Sequence, residues 1–181
     1  MNLKKMIFVN TIGIFALCFL SHFIYKWIPN PVTSIFFPVN ESIWEHMKML
    51  YTTVLIYGIV EYFILRKFDI DNHNFFITTF IKSVLIIPIY LIMFLPLYNM
   101  FGENMFISIS VMLTSIFLVN LIGYKLLQTD ELKYQNWISL ALIIIVYILM
   151  GYLTYNPPKT ELFYDIKAEK YGINEYVKTQ D

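Results

Sequence analysis

The sequence is poor in charge: Asp, Glu, Lys and Arg make up 14% of it, where a soluble domain carries roughly 25%. The two signs balance at 13 each, so no basic tract points to nucleic acid and no acidic arm is present. A single cysteine, Cys18, excludes an internal disulfide. It lies in an apolar run, where it reads as packing, and the bulky Leu17 before it does not fit a lipoprotein cleavage site. Six glycines and seven prolines are spread thinly, with no glycine-rich phosphate loop, nucleophile elbow or paired redox cysteines. What remains is apolar. Hydrophobic residues reach 58% and aromatics 18%, and the mean hydropathy is +0.61. That composition excludes a disordered chain and exceeds what one soluble core of this length can hide. An integral membrane protein is left.

A membrane helix needs about 20 mostly apolar residues. The segments Met6–Tyr25, Met47–Leu65, Phe75–Tyr98, Met105–Tyr124 and Trp137–Tyr155 qualify. The expected fold is therefore all-α: a bundle of five transmembrane helices over residues 1–155, a short outer-loop helix, and an ordered extramembrane tail over 156–181. The start, Met1-Asn2-Leu3-Lys4-Lys5, resembles a signal peptide. Its apolar run lacks a small-x-small cleavage site, so it reads as a retained first span. Pro88 and Pro96 lie inside the third span, which is long enough to tilt or kink. Asn156-Pro157-Pro158 ends the fifth, because proline cannot continue a helix.

Cations in short loops set orientation. Lys4, Lys5, Arg66, Lys67, Lys125 and Lys133 fall on one side, read as the cytoplasm. The other side holds as many, Lys26 and Lys48 near its first loop and Lys159, Lys167, Lys170 and Lys178 in a tail that comes last and also carries five acids, so the short loops are weighted more. The N-terminus is thus expected inside and the C-terminus outside. Tyr25, Trp27, Tyr51, Tyr98, Tyr124, Trp137 and Tyr155 fall near span ends, where amphipathic rings suit the headgroup layer.

The most polar stretch runs Asn40-Glu41-Ser42-Ile43-Trp44-Glu45-His46-Met47-Lys48. Asn40 is the natural N-cap of a helix starting there. Glu41 would then sit at the positive end of its dipole, one turn from Glu45. Ser42 and His46 form a parallel pair, and Lys48 is within reach of Glu45. Two readings stand. In one, this is a capped helix start at the membrane surface, with Trp44 as interfacial anchor and Glu45–Lys48 as a solvated pair. In the other, Glu41, Glu45 and His46 form a polar site that is catalytic or binds a divalent metal, since imidazole and carboxylate suit zinc, iron or manganese. Neither HExxH nor HxxEH is present, so ligands must come from elsewhere: His22 near the outer end of span one, and Asp165 or Glu161 in the tail. His73, in Asp69-Ile70-Asp71-Asn72-His73-Asn74, reads as part of a solvated turn on the opposite side.

Two ionisable residues lie inside spans. Glu61 and Lys82 are placed to pair between spans two and three; a proton or ion pathway is the alternative. Span four carries Ser108, Ser110, Thr114, Ser115 and Asn120, and the Ser110–Thr114 spacing suits close helix packing. Asn10 needs an interhelical partner. The tail is too aromatic for a plain tether. Leu162, Phe163, Tyr171 and Ile173 can dock it, with Gly172 supplying a left-handed turn and Asp165 brought towards Glu41 and His46.

The loop motif, together with Leu162-Phe163-Tyr164-Asp165 and Tyr171-Gly172-Ile173, resembles a family of small multi-pass bacterial membrane proteins known only as a domain of unknown function. That family's pattern is Asn-Glu-Ser-x-Trp-Glu-His, followed by Leu-Phe-x-Asp-Pro and Tyr-Gly-Ile; here Ile166 stands in place of the proline. The resemblance covers nearly the whole chain. It implies Asn40, Glu41, Ser42, Trp44, Glu45 and His46 as motif residues, and no known reaction. Three functions stay open: an outward-facing site for a metal ion or small polar ligand, a small transporter or channel subunit working through Glu61 and Lys82, and a non-catalytic assembly subunit. A lipid bilayer is the expected partner, nucleic acid is not, and a protein partner or a second copy stays open.

Overall fold

A computed structural model describes residues 3–70 and 72–173. In chain order they form α1 (Leu3–Trp27), α2 (Pro31–Phe36), α3 (Ile43–Lys67), α4 (Phe75–Phe101), α5 (Met105–Leu127), α6 (Gln135–Tyr155), a 3-10 turn (Glu161–Phe163), and a two-stranded hairpin of β1 (Tyr164–Asp165) and β2 (Lys170–Tyr171). All but α2 among the α-helices are long and apolar enough to cross a membrane, so the chain is a multi-pass, all-α membrane protein. The helices overrun the apolar segments read from the sequence. Hydropathy marks the hydrocarbon-spanning part, whereas hydrogen bonding carries a helix on into the interface. At 27 residues, α4 is about 40 Å long, and Pro88 and Pro96 lie within it without ending it.

The helices α1, α3, α4 and α5 close into a bundle: α1 packs on α3 and α5, and α4 packs on the same two. Its core holds Ile14, Met47, Leu50, Val54, Ile86, Ile116 and Val119, with Cys18 among them as expected. Outside this ring, α6 lies against α4, and α2 crosses it. Large apolar side chains such as Phe8, Ile59, Phe63, Ile92, Ile144 and Ile148 face outward, the distribution a lipid solvent favours.

Polar groups join the helices from within. Glu61 and Lys82 are buried and 2.6 Å apart, and Asn10 Nδ2 donates to the other Glu61 oxygen at 2.7 Å. The pair expected between the second and third spans is thus present, together with the interhelical partner that Asn10 needs. Asn120 Nδ2 donates to Thr11 Oγ1, tying α5 to α1. Gly123 lets α5 approach the Lys82 stem; a Cβ there would lie 2.4 Å from Lys82 Cδ. In α5 the inward-facing small residues are Ser115 and Gly123, whereas Ser110 and Thr114 are exposed. The spacing of Ser110 and Thr114 does define a helix face, but among the described residues that face is left exposed.

Two ends can be distinguished. The α3–α4 and α5–α6 loops meet at one. There His73 Nε2 contacts Thr129 O at 2.9 Å, and the buried Asn74 donates to Thr129 O and Asp130 O while accepting from Leu132 N. Gln135 Nε2 donates to His73 O. The turn read as solvated is a joint between two loops, because Asn74 supplies both donor and acceptor to a backbone that arrives from 55 residues away. Asp71 lies outside the described residues.

Lys82→Met leaves Glu61 buried without its cation, a change expected to cost about 3–5 kcal/mol. The double variant Glu61→Leu/Lys82→Met should recover most of that loss. Reversible unfolding in mixed micelles measures both, and a single variant as stable as wild type would contradict the pair's structural role.

Candidate functional site

The other end of the bundle carries the α1–α3 connection, the α4–α5 loop and the tail. Its local geometry starts at Asn30, which caps α2 through Val32 N and Thr33 N, with Pro31 in the first turn. After α2 the chain turns through Pro38–Glu41. Asn40 Oδ1 accepts from Ser42 N at 2.9 Å, a turn that delays the helix by two residues. The N-cap of α3 is therefore Ser42, whose Oγ accepts from Glu45 N, and not Asn40. Glu41 stands in the turn ahead of the helix, so it is not one helical turn from Glu45.

Placed there, Glu41 faces both outer histidines. Its Oε1 lies 3.5 Å from His22 Nε2 and 2.8 Å from Lys26 Nζ, and its Oε2 lies 3.7 Å from His46 Nε2. The two imidazole centroids are 5.3 Å apart. One ligand atom from each of His22, Glu41 and His46 lies within 4.8 Å of the others, and all three residues are half-buried. His46 Nδ1 contacts the carbonyl of Ser42 at 2.9 Å. Donation through that nitrogen leaves Nε2 with its lone pair directed at the cluster. The contact with His22 holds the Glu41 carboxyl well below its ordinary range; partial burial opposes this, and the Lys26 ammonium adds to it.

Glu45 and Asp165 sit beside this cluster and outside it. Glu45 is buried, and its Oε2 takes Lys48 Nζ at 2.6 Å and Val39 N at 3.0 Å. Lys48, fully buried, donates further to Ser34 O at 2.7 Å and Thr154 Oγ1 at 2.9 Å. The pair read as solvated is thus an interior tie among α2, α3 and α6. Asp165, also fully buried, accepts Glu41 N on Oδ2 at 2.9 Å and the amides of Lys167 and Ala168 on Oδ1. The tight turn after Asp165 forms with Ile166 in it, because the carboxylate gathers the amides of the turn.

The described part of the tail, residues 156–173, docks through its aromatic residues. Phe163 stacks on Trp44 at 4.9 Å, so Trp44 holds the tail. Tyr164 meets Tyr171 across the hairpin. Gly172 has φ +62°, and a Cβ there would lie 2.7 Å from Pro157 Cγ. Ile173 N reaches Thr154 O at 3.4 Å. Glu161 starts the 3-10 turn and is not in the cluster. Lys178 lies outside the described residues.

Sequence reasoning used Lys26 only as a marker of topology. Its place four residues after His22 puts both on one face of α1, a signal open to a closer reading. Ser34 and Thr154 carried no such signal, since their roles depend on where Lys48 ends.

Because the folded-state pKa of Glu41 lies below its ordinary 4.5, its stabilisation is complete above about pH 4.5 and is lost as pH falls through the lowered value. The gap in melting temperature between wild type and Glu41→Gln should therefore shrink as pH drops from about 4.5 towards 3. Melts in detergent across that window check this, and a constant gap would contradict it.

None of the curated proteins and none of the solved structures compared with the chain matches it. The sequence model of the Family of unknown function (DUF6512) does match, over residues 1–173, and the chain belongs to that family.

Proposed function

We propose that the chain is a protein of the bacterial plasma membrane that binds a divalent metal ion on its extracytoplasmic side through His22, Glu41 and His46. In this reading residues 1–155 form the membrane unit, residues 156–181 form the external tail, the N-terminus is cytoplasmic and the C-terminus is outside. The observation that carries it is convergence: three ligands of types suited to zinc, iron or manganese come from α1, the connecting turn and α3 to within 4.8 Å of one another. Two imidazoles and one carboxylate leave coordination positions open, as in metal sites that activate water.

The surroundings support the same reading. Metal-bound histidines commonly donate their other ring nitrogen to a carbonyl, as Ser42 O allows for His46. Asp165 fixes the backbone of Glu41. Glu45, read from the sequence as a ligand, enters as a positioning residue, since its carboxylate is committed to Lys48 and Val39. A transport role for Glu61 and Lys82 draws less support, because each is held by the other and Glu61 also by Asn10. An assembly role makes no use of the convergence.

Purified protein titrated with Zn(II) or Mn(II) should bind about one ion per chain. His22→Ala and His46→Ala should each weaken binding by more than the roughly 10–100-fold that loss of an outer partner costs. Asp165→Asn should fall within that range. Calorimetry and elemental analysis give the answer, and unchanged metal content in both histidine variants would overturn the proposal.

A further inference from the structure

Two lysines frame the cluster, and neither belongs to the set of metal ligands. Lys26 stands one turn beyond His22 on α1, half-exposed, with Nζ on Glu41 Oε1. A divalent ion held by that carboxylate would displace the ammonium, which, one turn from His22, would keep to the same face of α1. Lys167 is placed by the tail. Its backbone N–H and that of Glu41 sit on the two oxygens of one buried carboxylate, Asp165. The Lys167 side chain therefore starts from beside Glu41. It is exposed and rests on the equally exposed Glu103, 2.8 Å away, a pairing that solvent makes weak. Beyond Glu103, both Glu41 and Asp165 act on its charge.

The charges then favour one kind of ligand. A divalent ion with one carboxylate and two neutral imidazoles keeps a positive charge. Lys26 and Lys167 would add two more, against one negative charge each from Asp165, which its amide donors do not neutralise, and from Glu103, so the centre with its metal keeps a net positive charge. We infer, on the basis of the metal reading above, that the centre takes an oxyanion of the phosphate type, with one oxygen on the metal and others on Lys26 and Lys167. Phosphate has the several acceptor oxygens that a metal and two ammonium groups need together. Trp27, 61% exposed, lies next to Lys26 at the level where interfacial rings sit. Both a lipid headgroup phosphate and free phosphate reach that level.

The test uses the full chain preloaded with one equivalent of Zn(II), excess metal removed, as wild type, Lys26→Gln, Lys167→Gln and the double variant. Zinc affinity is read first. It should be unchanged in Lys167→Gln and higher in Lys26→Gln, where no ammonium competes for Glu41. Calorimetry with inorganic phosphate in micelles, and binding in nanodiscs with phosphatidic acid against phosphatidylcholine alone, then reads the anion. Each single variant should lose about tenfold in phosphate affinity, and the double variant more. Binding of inorganic phosphate identifies the free anion as ligand; binding confined to phosphatidic acid identifies the headgroup. Normal zinc binding with no phosphate response in either arm, or with equal response in the double variant, overturns this inference and leaves the metal reading standing. Absence of zinc binding overturns both, and the first readout shows it.

Discussion

The arrangement at the polar end of this bundle depends on one buried ion pair. Glu45 and Lys48 are three residues apart on α3, 2.6 Å from each other and withdrawn from solvent. Two charges without water are costly to hold unless their remaining donors and acceptors are met. Here they are met by other elements: Val39 N for Glu45, and Ser34 O and Thr154 Oγ1 for Lys48. The pair therefore fixes α2 across the top of α3 and draws the end of α6 in beside it. Without those partners the same pair would be a liability, so the charge and the surrounding fold require each other.

The candidate metal cluster follows from that tie. Holding Val39 on Glu45 sets the path of the turn that carries Glu41. Successive residues on a helix are turned by about 100°, so with Glu45 directed inward His46 faces a different side, towards His22. Thr154 passes the constraint on to the tail, since its hydroxyl meets Lys48 and its carbonyl meets Ile173 N. Asp165 then returns to hold Glu41 N. The tail is thus part of the site's frame. The second buried pair, Glu61–Lys82, does comparable work deeper in the bundle, where Asn10 completes it.

How much of this the sequence discloses differs by level. The spans were legible, because a bilayer leaves few ways to bury so many apolar residues with so little charge. Their ends were not, since a helix continues past the hydrocarbon for reasons of hydrogen bonding. The stop at Pro157 and the left-handed Gly172 are local problems, whereas Glu61, Lys82 and Asn10 were legible as groups in need of partners on other helices, because an ionisable or amide side chain inside a span must meet another polar group. Glu45 read as a ligand and Asn40 as a cap because periodicity gives a face without saying what covers it. Whether Glu45 turned to the histidines or to Lys48 was decided by α2 and α6, distant in sequence. The convergence of His22, Glu41 and His46 was legible as a set of candidates and became a geometry only once α1 and α3 were packed side by side.

The central claim is that the ligand set is His22, Glu41 and His46, with Glu45 as a structural tie beside it. X-ray absorption of the zinc-loaded protein tests this most directly, because it reports the atoms bound to the metal. The account predicts a first shell near 2.0–2.1 Å with the multiple-scattering signature of two imidazoles. One imidazole should disappear in His22→Ala and one in His46→Ala, while both should persist in Glu45→Gln. A shell of oxygen ligands alone, or one whose imidazole count is unmoved by either histidine substitution, would contradict it.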